Sequence, residues 1–133
     1  MKVLSSQQIR EADQFTIKHE PISSLDLMER ASQSFVLKFI EVNRDKKPVK
    51  IFCGVGNNGG DGLAIGRLLK EKGWEVYLYV VGNTRKGSED FKANLERSDL
   101  YAILSGTKDL PIIDDNDIII DGLFGSGLSR PLE

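Results

Sequence analysis

The chain has 133 residues, with 18 basic against 20 acidic side chains and a formal charge of −2. That length suits one domain with its own core, and the balance excludes both a strongly basic nucleic-acid face and an acidic, disordered tail. A single cysteine, Cys53, excludes an internal disulfide, and a single histidine, His19, excludes a zinc site of His and Cys ligands, so any metal must be held by oxygen.

The opening "MKVLSSQQIREADQ" turns polar after four residues, and no apolar run is long enough to span a bilayer. Neither a signal peptide nor a membrane helix is expected, and the reading is a cytoplasmic protein of a reducing compartment. Ser5 with Gln8 three residues on is a capping box for a first helix carrying Ile9, Ala12 and Phe15. Ser24 is the expected cap of a second, whose stripe is Leu25, Met28, Ala31, Phe35 and Phe39. "NRDKKP" is a charged linker. From Val49 the pattern alternates: strand "VKIFC", helix "GDGLAIGRLLKEKG" closed by Gly73, strand "EVYLYVV", loop "GNTRKG", helix "SEDFKANLERS" capped by Ser88, strand "LYAILS" and strand "DIIIDG". Strands alternating with helices imply right-handed βαβ units and a parallel sheet. The three consecutive isoleucines of the last strand call for burial on both faces, in a three-layer αβα arrangement. The expected strand order, numbering these four along the chain, is 3-2-1-4.

Between the first strand and its helix lies "GVGNNGGDG", residues 54–62, with five glycines in nine positions. Gly54, Gly56 and Gly59 spell G-x-G-x-x-G in strand-to-helix context, where glycine admits a phosphate and the helix N-terminus offers N–H donors. The next strand ends "VVGNTRK" without the acid that a dehydrogenase uses for ribose hydroxyls. Arg85 and Lys86 there read either as partners of a 2′-phosphate or as a solvated pair. A P-loop is excluded because Asp61-Gly62 stands where Lys-Ser/Thr is required. Asn57, Asn58 and Asp61 suit a hard cation or a polar ligand. The structural alternatives are turn-forming asparagines and Asp61 as a helix cap.

The second constellation is "DIIIDGLFGSGLSRP", residues 117–131. Asp121 closes a strand and a glycine-rich loop follows, so in the expected order this loop and the first converge where strand order reverses. The alternative for Asp121 is a residue that merely starts a turn.

"GVGNNGGDG" with "DGLFGSGLSRP", and the opening "SSQQIREADQFTIKHEPISSLDLMERAS", closely resemble the YjeF N-terminal domain family, the NAD(P)H-hydrate epimerases. Val55 stands where many members have proline and Ser126 where many have threonine. The resemblance implies a Rossmann-like domain that interconverts the R and S forms of NADH or NADPH hydrated on the reduced ring. It implies substrate contacts from Asn57, Asn58, Gly59, Gly60 and Asp61, and phosphate contacts from Gly125, Ser126, Gly127, Leu128, Ser129, Arg130 and Pro131. It implies a potassium ion on Asn58 and Asp121. A homodimer and a dehydratase, fused or separate, are the partners it suggests, with no nucleic acid and no membrane. The family domain continues with an Asp-x-Pro-Ser-Gly segment that supplies another aspartate, and no such segment occurs among these residues. The expectation is therefore a C-terminally truncated domain over 1–133, inactive alone, whose catalytic acid or base lies beyond residue 133. The competing readings are a non-catalytic nucleotide-binding or scaffold module of the same fold, and an ordinary oxidoreductase, disfavoured by the missing ribose acid.

Overall fold

A computed structural model describes the chain over residues 2–5 and 22–123. Five strands, β1 (Lys2–Ser5), β2 (Val49–Cys53), β3 (Val76–Val81), β4 (Ala102–Leu104) and β5 (Ile118–Gly122), form one sheet in the order β1-β5-β2-β3-β4. Every neighbouring pair is parallel. Three helices accompany them: α1 (Ser24–Val42), α2 (Asn57–Glu71) and α3 (Glu89–Arg97). Short 3-10 turns occupy Thr84–Lys86 and Thr107–Asp109.

The expected order of the four strands holds, and β1 adds a fifth beside β5. Ser5 pairs with Asp121 at the end of that strand. β5 therefore lies inside the sheet, between β1 and β2. The first expected helix lies outside the described residues. The three isoleucines of β5 are all buried, as the unbroken apolar run requires.

Alternation along the central strands sends Val49, Ile51, Cys53, Val76, Leu78, Val80, Ile118 and Ile120 into one core with Val36 and Phe39 of α1, Leu63, Ile65 and Leu69 of α2, and Phe91 of α3. α2 lies directly on this sheet face and α1 and α3 flank it. Close seating of α2 depends on Gly62 and Gly66. A Cβ on the first would come 2.9 Å from Cys53 Sγ, and one on the second 2.5 Å from Leu78 Cδ2. Across the outer surface, the Arg67 guanidinium of α2 pairs with Glu29 of α1, which also receives Arg97 of α3 at 3.8 Å.

The helix ends follow local chemistry. Ser23, one residue before the expected cap, accepts the Asp26 N–H at 3.1 Å, and Ser88 accepts that of Phe91 at 3.1 Å. α2 ends on Gly73 in the left-handed region, φ +87°. Gly73 N–H bonds the Lys70 carbonyl and Trp74 N–H that of Leu69, each at 3.0 Å, which is the Schellman arrangement. Trp74 thereby turns into the core, edge-on to Phe39 with ring centroids 5.1 Å apart.

Candidate nucleotide and cation site

The strand order reverses between β2 and β5, so the segments leaving these two strands meet outside their C-terminal ends. Gly54 N–H donates to the Gly122 carbonyl at 2.9 Å. A Cβ on Gly54 would lie 2.7 Å from the Leu123 carbonyl oxygen, and one on Gly122 would lie 2.9 Å from the Asn58 carbonyl oxygen. The glycine loop, the first turn of α2 and the end of β5 are thus locked backbone to backbone. Side chains at these positions would force them apart.

The loop is shorter than its sequence suggests, because α2 begins at Asn57 with Gly56 as an extended N-cap. Gly56 has no side chain to cap the helix, and the first backbone N–H groups have no carbonyl inside the helix to accept them. Asp61 is not a cap: it stands in the second turn, fully buried and held by polar contact. Asn58 is 4% exposed, while Asn57 faces solvent. Neither Gly59 nor Gly60 has positive φ. Gly59 is required by close approach to Gly54, and a Cβ on Gly60 would meet Met28 and Phe91 on the core side.

Asp121 is half-buried at the end of β5, in register with Phe52. Its Oδ1 accepts the Leu123 N–H at 2.9 Å. The turn role expected as an alternative is real and occupies one carboxylate oxygen. Among the described residues Oδ2 makes no hydrogen bond. Gly125 to Pro131 lie outside the described residues.

A third segment joins the site, one that residue spacing scarcely announces. Ser88 N–H donates to the Val55 carbonyl at 2.9 Å, and Gly82 and Gly87 both pack against Val55. The loop from 82 to 88, with Arg85 and Lys86 exposed on its 3-10 turn, is thereby docked on the glycine loop. The signal was the pair of glycines bracketing "NTRK".

No group of three or more His, Cys, Asp or Glu side chains suited to a metal occurs among the described residues. The amide of Asn58 and the carboxylate of Asp121 would offer oxygen alone, a chemistry that suits a hard cation better than a transition metal. Cys53 is no nucleophile here, since full burial pushes its thiol pKa well up. At the opposite end of the sheet, Lys50 Nζ bonds Asp117 Oδ2 at 2.7 Å and the Ile112 carbonyl at 2.5 Å, tying the loop before β5 to β2. That pair is structural. No helix among the described residues is long and apolar enough to cross a membrane.

The profile of the family described as "YjeF-related protein N-terminus" matches residues 24–133. A Rhodobacter capsulatus protein named NAD(P)H-hydrate epimerase is 36% identical over 98% of this chain and 65% of its own length. Proteins of the same name from Limosilactobacillus fermentum and Lentilactobacillus buchneri are 38% and 40% identical, over 99% and 97% of this chain and 63% and 60% of theirs. The chain spans about three fifths of the length of these curated relatives. The crystal structure of a yeast protein superposes on all of this chain and 60% of that one, with a TM-score of 0.62 at 23% identity, which establishes likeness of fold. Parallel topology, the glycine loop locked to the end of β5 and the profile match lead to one conclusion: the chain belongs to the family of YjeF-related protein N-termini.

Proposed function

We propose that the protein carrying this chain interconverts the R and S forms of hydrated NADH and NADPH, so that a stereospecific dehydratase, fused or separate, can restore the coenzyme in the cytoplasm. One observation carries the reading. The Gly54–Gly122 lock places Asn58 and Asp121 on adjoining segments at the switch point, in a chain whose curated relatives bear the name NAD(P)H-hydrate epimerase.

In this reading the N–H groups opening α2 and the segment 125–131 hold the substrate's phosphates, and Asn57 to Asp61 line it. Asn58 and Asp121 hold a potassium ion, which offsets phosphate charge close to two carboxylates. The chemistry is acid–base catalysis on a bound nucleotide, and the acid or base must reach the proton it moves. Asp61 and Asp121 are the carboxylates at hand. No catalytic role is assigned to either within this chain.

The test starts from one purified epimer of hydrated NADH and follows the second by chromatography, using the full-length protein with potassium and with sodium. Equilibration that is faster with potassium and leaves nicotinamide absorbance unchanged supports the proposal. An absorbance change on adding a reducible substrate identifies an oxidoreductase. Binding without turnover identifies the non-catalytic module.

A further inference from the structure

We propose that the loop after β3 and the groove beside it form a subsite for the adenosine 2′-phosphate half of a phosphorylated dinucleotide. Arg85 and Lys86 then make the site favour the NADPH form of its substrate. This deepens the function proposed above and rests on it for the identity of the ligand.

Three observations converge at the C-terminal ends of β3 and β4. The first is a groove lined by Val81, Asn83, Ile103, Leu104, Ser105 and Leu110. Val81, Ile103 and Leu110 in it are 40%, 54% and 59% exposed. Apolar walls with two small polar side chains suit a purine, whose faces are apolar and whose edge carries donors and acceptors. The second is the cationic turn next to the groove. Asn83 accepts the Arg85 N–H through its side chain at 3.0 Å, and the Lys86 and Gly87 N–H groups bond the carbonyls of Asn83 and Thr84 at 3.0 and 3.2 Å. The two cations therefore stand on a hydrogen-bonded turn, and among the described residues neither makes an ion pair. The third is the docking of this loop on the glycine loop through Val55, which sets the cationic turn beside the segment that leads into α2.

The geometry of open α/β sheets supplies the ligand. With a pyrophosphate at the first βα turn, the adenosine ribose falls over the end of the adjacent strand, here β3. An acid there bonds the ribose hydroxyls and repels a 2′-phosphate, whereas an arginine accepts it. β3 runs out through Val81, Gly82, Asn83 and Thr84 with no acid, and Arg85 and Lys86 follow. Charge complementarity thus selects the phosphorylated ribose over the plain one.

The probes are NADP⁺ and NAD⁺, titrated calorimetrically into the full-length protein. The parent is expected to bind NADP⁺ about tenfold or more tightly than NAD⁺. Arg85→Ala with Lys86→Ala is expected to erase that difference by weakening NADP⁺ alone. Arg85→Gln with Lys86→Gln, which keeps side-chain bulk, is expected to do the same. Ile103→Asp is expected to weaken both coenzymes together. Equal affinities in the parent, or a parallel loss of both coenzymes in the double variants, would overturn the subsite. If the NADP⁺ preference is present and lost as expected while hydrated coenzyme is not epimerised, the subsite stands and the epimerase reading falls. If the hydrates are epimerised without coenzyme discrimination, the reverse holds.

Discussion

A Cβ on Gly59 would lie 1.7 Å from the carbonyl oxygen of Gly54. No rotamer change relieves such an overlap, because both partners are backbone. The first turn of α2 sits where it does only because residue 59 has no side chain. The consequence runs from sequence to site, since Gly54 in turn holds Gly122 and so fixes the end of the strand that bears Asp121. Gly59→Ala is expected to destabilise the protein by about 2–4 kcal/mol, as overpacking against an unyielding wall does. Gly56→Ala has nothing within 4 Å of the added carbon and is expected to cost about 1 kcal/mol or less, through loss of a favoured N-cap residue alone. Denaturant melts of both variants check the contrast, and equal melts would mean that the loop relaxes.

Gly60 separates packing from binding in the same loop. Its Cβ would come 3.2 Å from Met28 Sδ and Cε and 3.3 Å from the Phe91 Cα. The methionine can yield and the backbone cannot. Gly60→Val is therefore expected to lower stability by about 1–3 kcal/mol through displacement of α1 and α3. A native melting curve for Gly60→Val would show that residue 60 lies clear of the core.

How far the sequence spoke depended on periodicity. Strand order and the switch point were legible because the apolar runs at 49–53, 76–81 and 118–122 alternate with helical patterns, and topology rules leave few ways to connect them. Ser88 and Gly73 announced their caps by chemistry that acts locally. The start of α2 was not legible, because asparagine and glycine are weak helix formers. Asn57 to Gly60 become helical through packing on Gly54, Met28 and Phe91, which no local propensity encodes. β1 was missed for the related reason that four residues carry almost no period. At the site, the meeting of Asp121 with the glycine loop followed from strand order. The docking of Arg85 and Lys86 depended on a single carbonyl, that of Val55, and so could not be read from spacing.

The Lys50–Asp117 pair gives the fold a pH signature. The Asp117 side chain is 4% exposed. Its pKa is lowered, first by the Lys50 hydrogen bond and then by the Asp114 N–H at 2.9 Å. A lowered folded-state pKa contributes stability that is present above the unfolded value of about 3.9 and is lost as pH falls through the folded one. Lys50 is raised, chiefly by the same bond. Its contribution is present below the unfolded value of about 10.4 and is lost as pH rises through the folded one. Asp117→Asn is expected to melt well below the parent at neutral pH, with the gap closing as pH falls from the unfolded value of about 3.9 through the lowered folded-state one. A gap that stays constant across that fall would show that the asparagine fails for reasons of shape.

β1 tests the sheet edge. Lys2 to Ser5 pair along β5 from Ile118 to Asp121, so the backbone groups on that side of the three isoleucines are satisfied. In a parallel ladder alternate residues donate across the pair, so Val3→Pro with Leu4→Pro removes whichever N–H serves β5. An apolar strand stripped of its neighbour is a template for association. Sedimentation of the double variant at several concentrations is expected to show larger species than the parent does. A monodisperse variant would mean that β5 is protected by something other than β1.

The last prediction concerns charge at the end of β5. Asp121→Asn keeps an oxygen where Oδ1 accepts the Leu123 N–H at 2.9 Å, so the turn survives while the full negative charge goes. If Asp121 only shapes the turn, the variant binds nucleotide as the parent does at every salt composition. If it helps hold a potassium ion, losing the charge removes most of the attraction for a monovalent cation in an otherwise neutral donor set. The cation then no longer offsets the phosphates. The expected outcome in the full-length protein is that nucleotide affinity, stronger in potassium than in sodium for the parent, becomes indifferent to the cation in Asp121→Asn and falls about tenfold or more in potassium. Melting curves should meanwhile stay within about 1 kcal/mol of the parent, because the hydrogen bond to Leu123 is kept. Isothermal titration in matched potassium and sodium buffers measures the first expectation and thermal denaturation the second. Cation dependence that persists unchanged in the variant would place the ion elsewhere and leave Asp121 as the residue that turns the chain out of β5.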